Sequence, residues 1–459
     1  FLIFNFFIFA YNCKPNMKSI KRYIPEKSFS IIEEQYDSDP LMFKSEKEVI
    51  YFILDCFYRL KTFNKHVYSH DSEYMTISSK YFRSYISKNY SNYLTWMVKH
   101  KLIICDRIKK TGKAYGYNLH PDIKSKLIAV QISKDCIITK RIIDNYNRKY
   151  KIHKKTDEHI LIMKNHLKKS LKINLNEALQ WLEYQFESFN INIDQYNAYF
   201  ISVQCIENKE FYFNINSTNG RLDTNITNLK SELRQFLKGD YCHIDCKNSQ
   251  PLLLNYILDY LLFIFNNINI KSPSSPTLPP SLGTEYEKTL LKELSNSDLE
   301  WLNFFPLNDE VIGEFKRYRN DTFKSDFYDN LKIEYENLYK RKILRKDMKE
   351  LLYKVFFSEN KAYKKEKKLF NTKYPNISKI IFKLKNERHN KLALCLQRIE
   401  SDLFIKKISK RLVESNIIPF TIHDSILVLN KDRDETIKIM QEVYKEVLNG
   451  VPELECTTL

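Results

Sequence analysis

The stretch Ile417-Ile-Pro-Phe-Thr-Ile-His-Asp-Ser-Ile-Leu-Val-Leu429 decides the fold. Two short β-branched runs flank a polar centre, His423-Asp424-Ser425. The pattern predicts a strand–turn–strand hairpin with a carboxylate at its tip. An aspartate at a turn is commonly just a turn residue. What Asp424 can do depends on what the rest of the chain brings to it.

Upstream, Tyr241-Cys-His-Ile-Asp-Cys-Lys-Asn-Ser-Gln-Pro-Leu-Leu-Leu254 predicts a short strand ending at Asp245. Asn248 or Ser249 can cap the helix that follows, and Pro251 suits its first turn. Asp245 then stands where a strand meets a helix, a position that metal-binding carboxylates share with capping and turn aspartates. In Arg345-Lys-Asp-Met-Lys-Glu-Leu-Leu-Tyr-Lys-Val-Phe-Phe357, residues Arg345, Lys349, Tyr353 and Phe357 recur every four positions and are expected on one helical face. Two cations followed by two aromatics suit a nucleoside triphosphate, with cations on phosphate and rings on base and sugar. An amphipathic helix with an aromatic core edge has the same pattern. The predicted helix Lys391–Glu414 carries Gln397 and Asp402 in an otherwise apolar setting, so Gln397 needs a partner, either a nucleic-acid groove or another side chain. In Asn219-Gly-Arg-Leu-Asp-Thr-Asn-Ile-Thr-Asn-Leu-Lys-Ser-Glu-Leu-Arg234, Gly220 allows a tight turn or a close backbone approach. Arg221 and Arg234 are candidate phosphate or base-edge contacts.

Charge points the same way. Lys and Arg number 74 against 56 Asp and Glu, a net +18, so an anionic partner is expected and nucleic acid is the commonest. A lysine-rich compositional bias would also raise the count. The nine cysteines are scattered, which fits a reducing, cytoplasmic compartment. Cys242, His243 and Cys246 cluster, but no second pair follows at zinc-site spacing. The apolar run at residues 1–16 is too short to span a bilayer and reads as upstream translation or a truncated end, with Met17 as the start. Residues 251–265 are apolar but contain Asn255 and Asp259, which fits a buried helix. No membrane partner is expected.

The 459 residues are enough for two or three domains. Residues 1–46 are read as an extension, partly disordered. Residues 47–120 predict three helices (46–63, 78–87, 90–101) and two strands (102–106, 114–119) around a basic turn at 107–113. That order resembles a winged helix-turn-helix, which implies DNA contact or a structural role. Residues 121–214 read as a basic helical connector, with 198–204 and 210–216 as strands. Residues 215–459 hold the chemistry-bearing stretches, interrupted by a flexible Pro/Ser-rich insertion at 271–283.

In order and spacing, these stretches resemble the palm and fingers of family-A DNA polymerases and of the related phage-type single-subunit RNA polymerases. Asn219-Gly-Arg-Leu with Asn228-Leu229 and Arg234 is similar to the family's Thr-Gly-Arg-Leu segment. Asp245 matches the motif A aspartate. Arg345, Lys349 and Phe357 match the fingers-helix signature, with Phe357-Ser358 in place of Tyr-Gly. Gln397 and Asp402 match a Gln-x4-Asp pair, and His423-Asp424-Ser425 matches motif C. The resemblance spans roughly residues 215–445.

It implies an α+β right-hand polymerase fold of palm, fingers and thumb, with residues 121–214 thumb-like. The implied activity is template-directed nucleotidyl transfer, with two Mg²⁺ ions on Asp245 and Asp424 and with primer–template DNA and nucleoside triphosphates as partners. Arg345 and Lys349 would neutralise phosphate, Tyr353 and Phe357 would pack on the nucleoside, and Arg221, Arg234, Gln397 and His423 would contact nucleic acid. Gln250 stands where the family places its sugar-discriminating glutamate. Its bulk favours deoxynucleotides, whereas Ser425 resembles the RNA polymerases. The expectation is a minimal DNA-dependent DNA polymerase without 3′–5′ exonuclease, of the kind carried by mobile elements. An RNA polymerase or primase-like enzyme, and a non-catalytic nucleic-acid-binding protein on a degenerate polymerase fold, are the alternatives.

Overall fold

The computed structural model describes residues 10–11, 19–39, 41, 47–63, 74–77, 79–86, 88–107, 115–149, 156–268, 301 and 305–459. The insertion at 271–283, most of the run at 1–16 and most of the basic turn at 107–113 lie outside the described residues. The chain divides into two compact units. The first comprises residues 1–157, 165–213 and 224–238, the second 158–164, 214–223 and 239–459. Both mix helix and sheet.

In the first unit, the helix Glu48–Phe63 is apolar on nearly every side and is buried from Val49 to Leu60. Packed around it are the helices Ser79–Tyr85 and Tyr90–Lys99 and a three-stranded antiparallel sheet. The sheet's strand order is Met75–Thr76, Gly116–Leu119, Ile103–Cys105. The core does not stop at residue 47. Ser19–Pro25 pairs antiparallel with Leu127–Ser133 and sends Ile20, Tyr23 and Ile24 into the same cluster. The helix Glu26–Ser38 follows. The stretch 19–38, expected to be part of a loose extension, is therefore regular structure.

Two further expectations are corrected in this unit. Leu127–Ser133, placed in a helical connector, is a strand that buries Leu127 at its start and Val130 and Ile132 in alternation further on. Residues 198–204, read as a strand from their β-branched and aromatic content, belong to the helix Ile193–Glu207. Its start is fixed by a capping box in which Asn192 and Gln195 exchange side-chain-to-backbone hydrogen bonds. The helix buries Tyr196, Ile201, Val203 and Ile206, so packing overrides strand propensity. Glu210–Phe211 and Phe213–Ile215 are strands, as expected for 210–216.

At the centre of this unit lies a dry ionic cluster. Asp55 accepts from Arg59 Nε at 2.6 Å and faces Arg22 Nε at 3.1 Å, and Glu210 accepts from Arg59 Nη1 at 2.5 Å. The backbone N–H of Tyr23 donates to Asp55 at 3.1 Å. Each buried carboxylate has a guanidinium within hydrogen-bond distance, which is what burying charge requires.

The second unit is built on a four-stranded antiparallel sheet in the order Phe420–Ile422, Ser425–Leu429, Tyr241–Cys246, Leu454–Thr458. The central strand is followed by the helix Ser249–Ile268, buried over its described face from Leu252 to Leu261. The helices Arg345–Phe357, Lys364–Lys373 and Pro375–Leu384 complete a core that also takes in Leu392, Leu396, Leu403 and Tyr444. The helix break expected at Tyr374-Pro375 is present, with Pro375 opening the new helix. The expected single helix Lys391–Glu414 is interrupted. It runs as an α-helix over Lys391–Ser401, widens to π geometry over Asp402–Ile408 and resumes at Ser409. Ser409 Oγ donates to the Phe404 carbonyl, five residues back, within the widened segment. Such π turns recur at functional sites. No helix among the described residues is long and apolar enough to cross a membrane.

Candidate active site

The hairpin read from the sequence is present. Phe420–Ile422 and Ser425–Leu429 pair antiparallel, with Ile422 opposite Ser425, so His423 and Asp424 form the turn. His423 takes a left-handed backbone at φ 55°, a conformation that non-glycine residues adopt at a cost and often at functional turns. Register then does the rest. On the central strand Asp245 lies opposite Ser425 on one side and opposite Glu455 on the other. The Cys246 N–H reaches the Asp424 carbonyl at 3.4 Å. Two carboxylates far apart in sequence thereby meet at one end of the sheet, and a third, Glu455, joins them.

Asp245 and Asp424 line one cavity of about 390 Å³ with Gln250, Tyr328, Arg345, Lys349, Tyr353 and Glu455. Burial pushes the Asp245 carboxyl up to about 7, the Asp424 charge adds to the rise, and the Lys349 ammonium opposes it. Burial likewise raises Asp424, against backbone hydrogen bonding and the charges of Arg221 and Lys349. Burial, then the Asp424, Glu400 and Asp245 charges, push the Tyr353 hydroxyl up to about 12. The cavity thus concentrates negative potential with no cation directly paired to either aspartate in the salt bridges of the described residues.

The helix Arg345–Phe357 begins and ends where the sequence places it. Arg345 and Lys349 are exposed and Tyr353 is half-buried. Arg345 Nε donates to Asp329 at 3.2 Å and its guanidinium lies 5.6 Å from the Tyr328 ring, so it is already steered at the cavity rim. Phe357 is not among the cavity-lining residues. A four-residue repeat drifts about 40° per step around an α-helix, so by the third step Phe357 has rotated about 120° from Arg345. It packs against the core and stacks on Tyr353 at 5.6 Å.

Beside the cavity, Asn219-Gly220-Arg221 is fastened to the helix Lys391–Ser401. Asn219 Nδ2 donates to Gln397 Oε1 at 3.2 Å, Ser401 Oγ donates to the Asn219 carbonyl at 3.0 Å, and Arg398 Nε donates to the Thr218 carbonyl at 3.1 Å. Gly220 has φ 76°, and a Cβ there would sit 3.2 Å from the Ser401 Cβ, so both backbone and space call for glycine. Arg221 forms a two-pronged pair with Glu400, Nε to Oε1 at 2.7 Å and Nη2 to Oε2 at 3.0 Å. Gln250 Nε2 donates to the same Glu400 carboxylate. Burial pushes Glu400 up to about 8, while Arg221 pulls it back.

Sequence reasoning passed over Glu400 and Glu455, and weighed His243 only as part of a zinc cluster. His243 Nε2 meets Ser425 Oγ at 2.7 Å, and Ser425 Oγ donates to the Ile422 carbonyl at 2.9 Å. Ser425 is buried and latches the hairpin to the central strand. Only Glu400 left a usable trace, as a charged residue on the apolar helix that carries Gln397. Gln397 and His423 do not line the cavity. Arg234 lies in the first unit, on the 3₁₀ helix Ser231–Phe236.

No model of a known protein family matches the chain, and no curated protein matches it. Among solved structures, the POL domain of Pol1 from M. smegmatis, in complex with DNA primer-template and dNTP, is similar at 12% identity. The match covers 61% of this chain and 55% of that one, with a TM-score of 0.27. The chain therefore spans about half the length of that domain.

Proposed function

We propose that the second unit is a template-directed nucleotidyltransferase that extends a DNA primer with deoxynucleotides. One observation carries the reading. Asp245, on the central strand, and Asp424, in the hairpin turn, enter a single cavity of about 390 Å³, which Arg345, Lys349 and Tyr353 of one helix also line. A paired-carboxylate floor with a cationic and aromatic helix is the donor set for a metal-bound triphosphate.

The residues fit magnesium. Oxygen ligands suit it, and it is commonly held by one or two carboxylates, with substrate phosphates and water filling the remaining positions. Bound at Asp245 and Asp424, magnesium would supply charge neutralisation and activation of the primer hydroxyl. Lys349 and Arg345 hold the triphosphate and neutralise charge that develops on the leaving pyrophosphate. Tyr353 packs on the nucleoside, and Gln250, from the wall of the cavity, limits room at the sugar. Arg221 and Gln397, both held by the 219–221 junction, lie on the nucleic-acid side. We read the helices and three-stranded sheet of residues 47–120 as a winged-helix-like module that grips duplex DNA.

Purified protein is to be given a primer–template in Mg²⁺, with deoxy- or ribonucleotides. Extension with deoxynucleotides at several-fold higher efficiency is expected. No extension with either, with DNA binding intact, would leave a binding protein and remove the enzyme reading.

A further inference from the structure

Glu400 lies between Gln397 and Asp402 but is no part of the pattern that pointed to nucleotidyl transfer, yet it is among the most enclosed charges in the second unit, with a side chain 1% exposed. Its two oxygens serve two residues of the proposed site. Arg221 takes both, at 2.7 and 3.0 Å, and Gln250 Nε2 donates to Oε2. With the Arg221 guanidinium donating to both of its oxygens, Glu400 is the acceptor here, and Nε2 is the only donor on the Gln250 side chain. The pairing therefore fixes which way the Gln250 amide faces. Gln250 is 8% exposed and lines the cavity, and its Oε1 is buried with no hydrogen-bond partner among the described residues. A glutamine has three side-chain torsions. Unpinned, it can swing out of the space beside a bound sugar.

We propose that Glu400 is a positioning residue that sets sugar discrimination by holding Gln250 in one rotamer against the cavity, while its other interaction, with Arg221, serves nucleic-acid binding. The inference rests on the nucleotidyl-transfer reading and adds to it a residue for sugar choice. Arg221 and Gln250 have separate jobs, so the two roles of Glu400 separate in kinetics. Loss of the Gln250 contact moves the ratio of kcat/KM between deoxy- and ribonucleotide. Loss of the Arg221 pair moves KM for primer–template and leaves that ratio alone.

The experiment is a double-mutant cycle on the kcat/KM ratio for dATP against ATP opposite a template thymine. Glu400→Met removes the acceptor and keeps most of the volume. Glu400→Met and Gln250→Ala are each expected to lower the ratio about tenfold, and the double variant to lower it no further, the signature of two residues acting as one unit. Glu400→Gln retains an oxygen for Gln250 and the side-chain shape. It should keep the ratio within about twofold while KM for primer–template rises. A merely structural Glu400 would depress both nucleotides alike. The assignment is overturned if Gln250→Ala changes the ratio and Glu400→Met does not, if the two losses multiply, or if Glu400→Gln loses the ratio as fully as Gln250→Ala. Failure of the wild-type protein to extend with either nucleotide would instead bring down the underlying reading, and this inference with it.

Discussion

Each unit holds a pair of carboxylates, fully buried in the first and half-buried in the second, and treats it in the opposite way. In the first, Asp55 and Glu210 are matched by Arg22 and Arg59 at hydrogen-bond distance. In the second, Asp245 and Asp424 line a cavity, and the Lys349 charge acts on both without a salt bridge to either among the described residues. The first arrangement is closed: every charge has its counter-charge within the fold. The second is open: its carboxylates line a cavity, and the charges of Lys349 and Arg221 oppose their repulsion without pairing directly to them. Burial alone thus does not mark a functional acid. The pair at a cavity, beside exposed cations on a helix and with no salt bridge of its own among the described residues, is what supports the functional reading of Asp245 and Asp424.

The contrast can be broken first by removing its closed half. Arg59→Met leaves Glu210 and Asp55 short of a partner in a dry core and is expected to cost about 3–5 kcal/mol of stability, read from urea unfolding. A change under 1 kcal/mol would mean the cluster is not held as tightly as its distances indicate. In the open half, Lys349→Ala should leave stability within about 0.5 kcal/mol, since the side chain is exposed. It should lower kcat/KM for the incoming triphosphate about 100-fold. Equal losses in both stability and turnover would place Lys349 in the structure and not on phosphate.

The smallest effect is a pH dependence. In the folded metal-free protein Asp245 sits at about 7, against an ordinary 3.8. Between those values the folded state holds a proton that the unfolded state has released, so stability falls as pH rises through this window. Below it both states are protonated and the contribution is complete. Asp245→Asn carries no such proton. Its stability relative to wild type should therefore climb between pH 5 and pH 7.5, by on the order of 1–2 kcal/mol in urea titrations without divalent metal. A constant difference across that range would show that Asp245 is not destabilised by ionisation.

Much of the open half was legible in residues. The hairpin at His423-Asp424, the strand ending near Asp245 and the bounds of the helix Arg345–Phe357 all follow from local pattern. What was not legible depends on pairing or on packing. Glu455 reaches the cavity only because Leu454–Thr458 pairs with the central strand, and no local signal marks that register. Phe357 fell off the stripe because a four-residue repeat is not a helical period. The helix Ile193–Glu207 was hidden by strand-like composition, and the π segment Asp402–Ile408 by an apolar pattern that runs through it. Ser425, which in the sequence competes with Gln250 as a clue to sugar choice, is buried and bonded to His243 and the Ile422 carbonyl. Gln250, on the cavity wall, is the residue of the two that can meet a ligand.

The central claim is that Asp245 and Asp424 form one cation-dependent centre for nucleotidyl transfer. Primer extension by wild type, Asp245→Asn and Asp424→Asn, with DNA affinity measured alongside, tests it most directly. Wild type should extend with Mg²⁺ and stop in EDTA, and each variant should lose at least about 1,000-fold in rate with DNA affinity nearly unchanged. Sustained extension by either variant would contradict the claim.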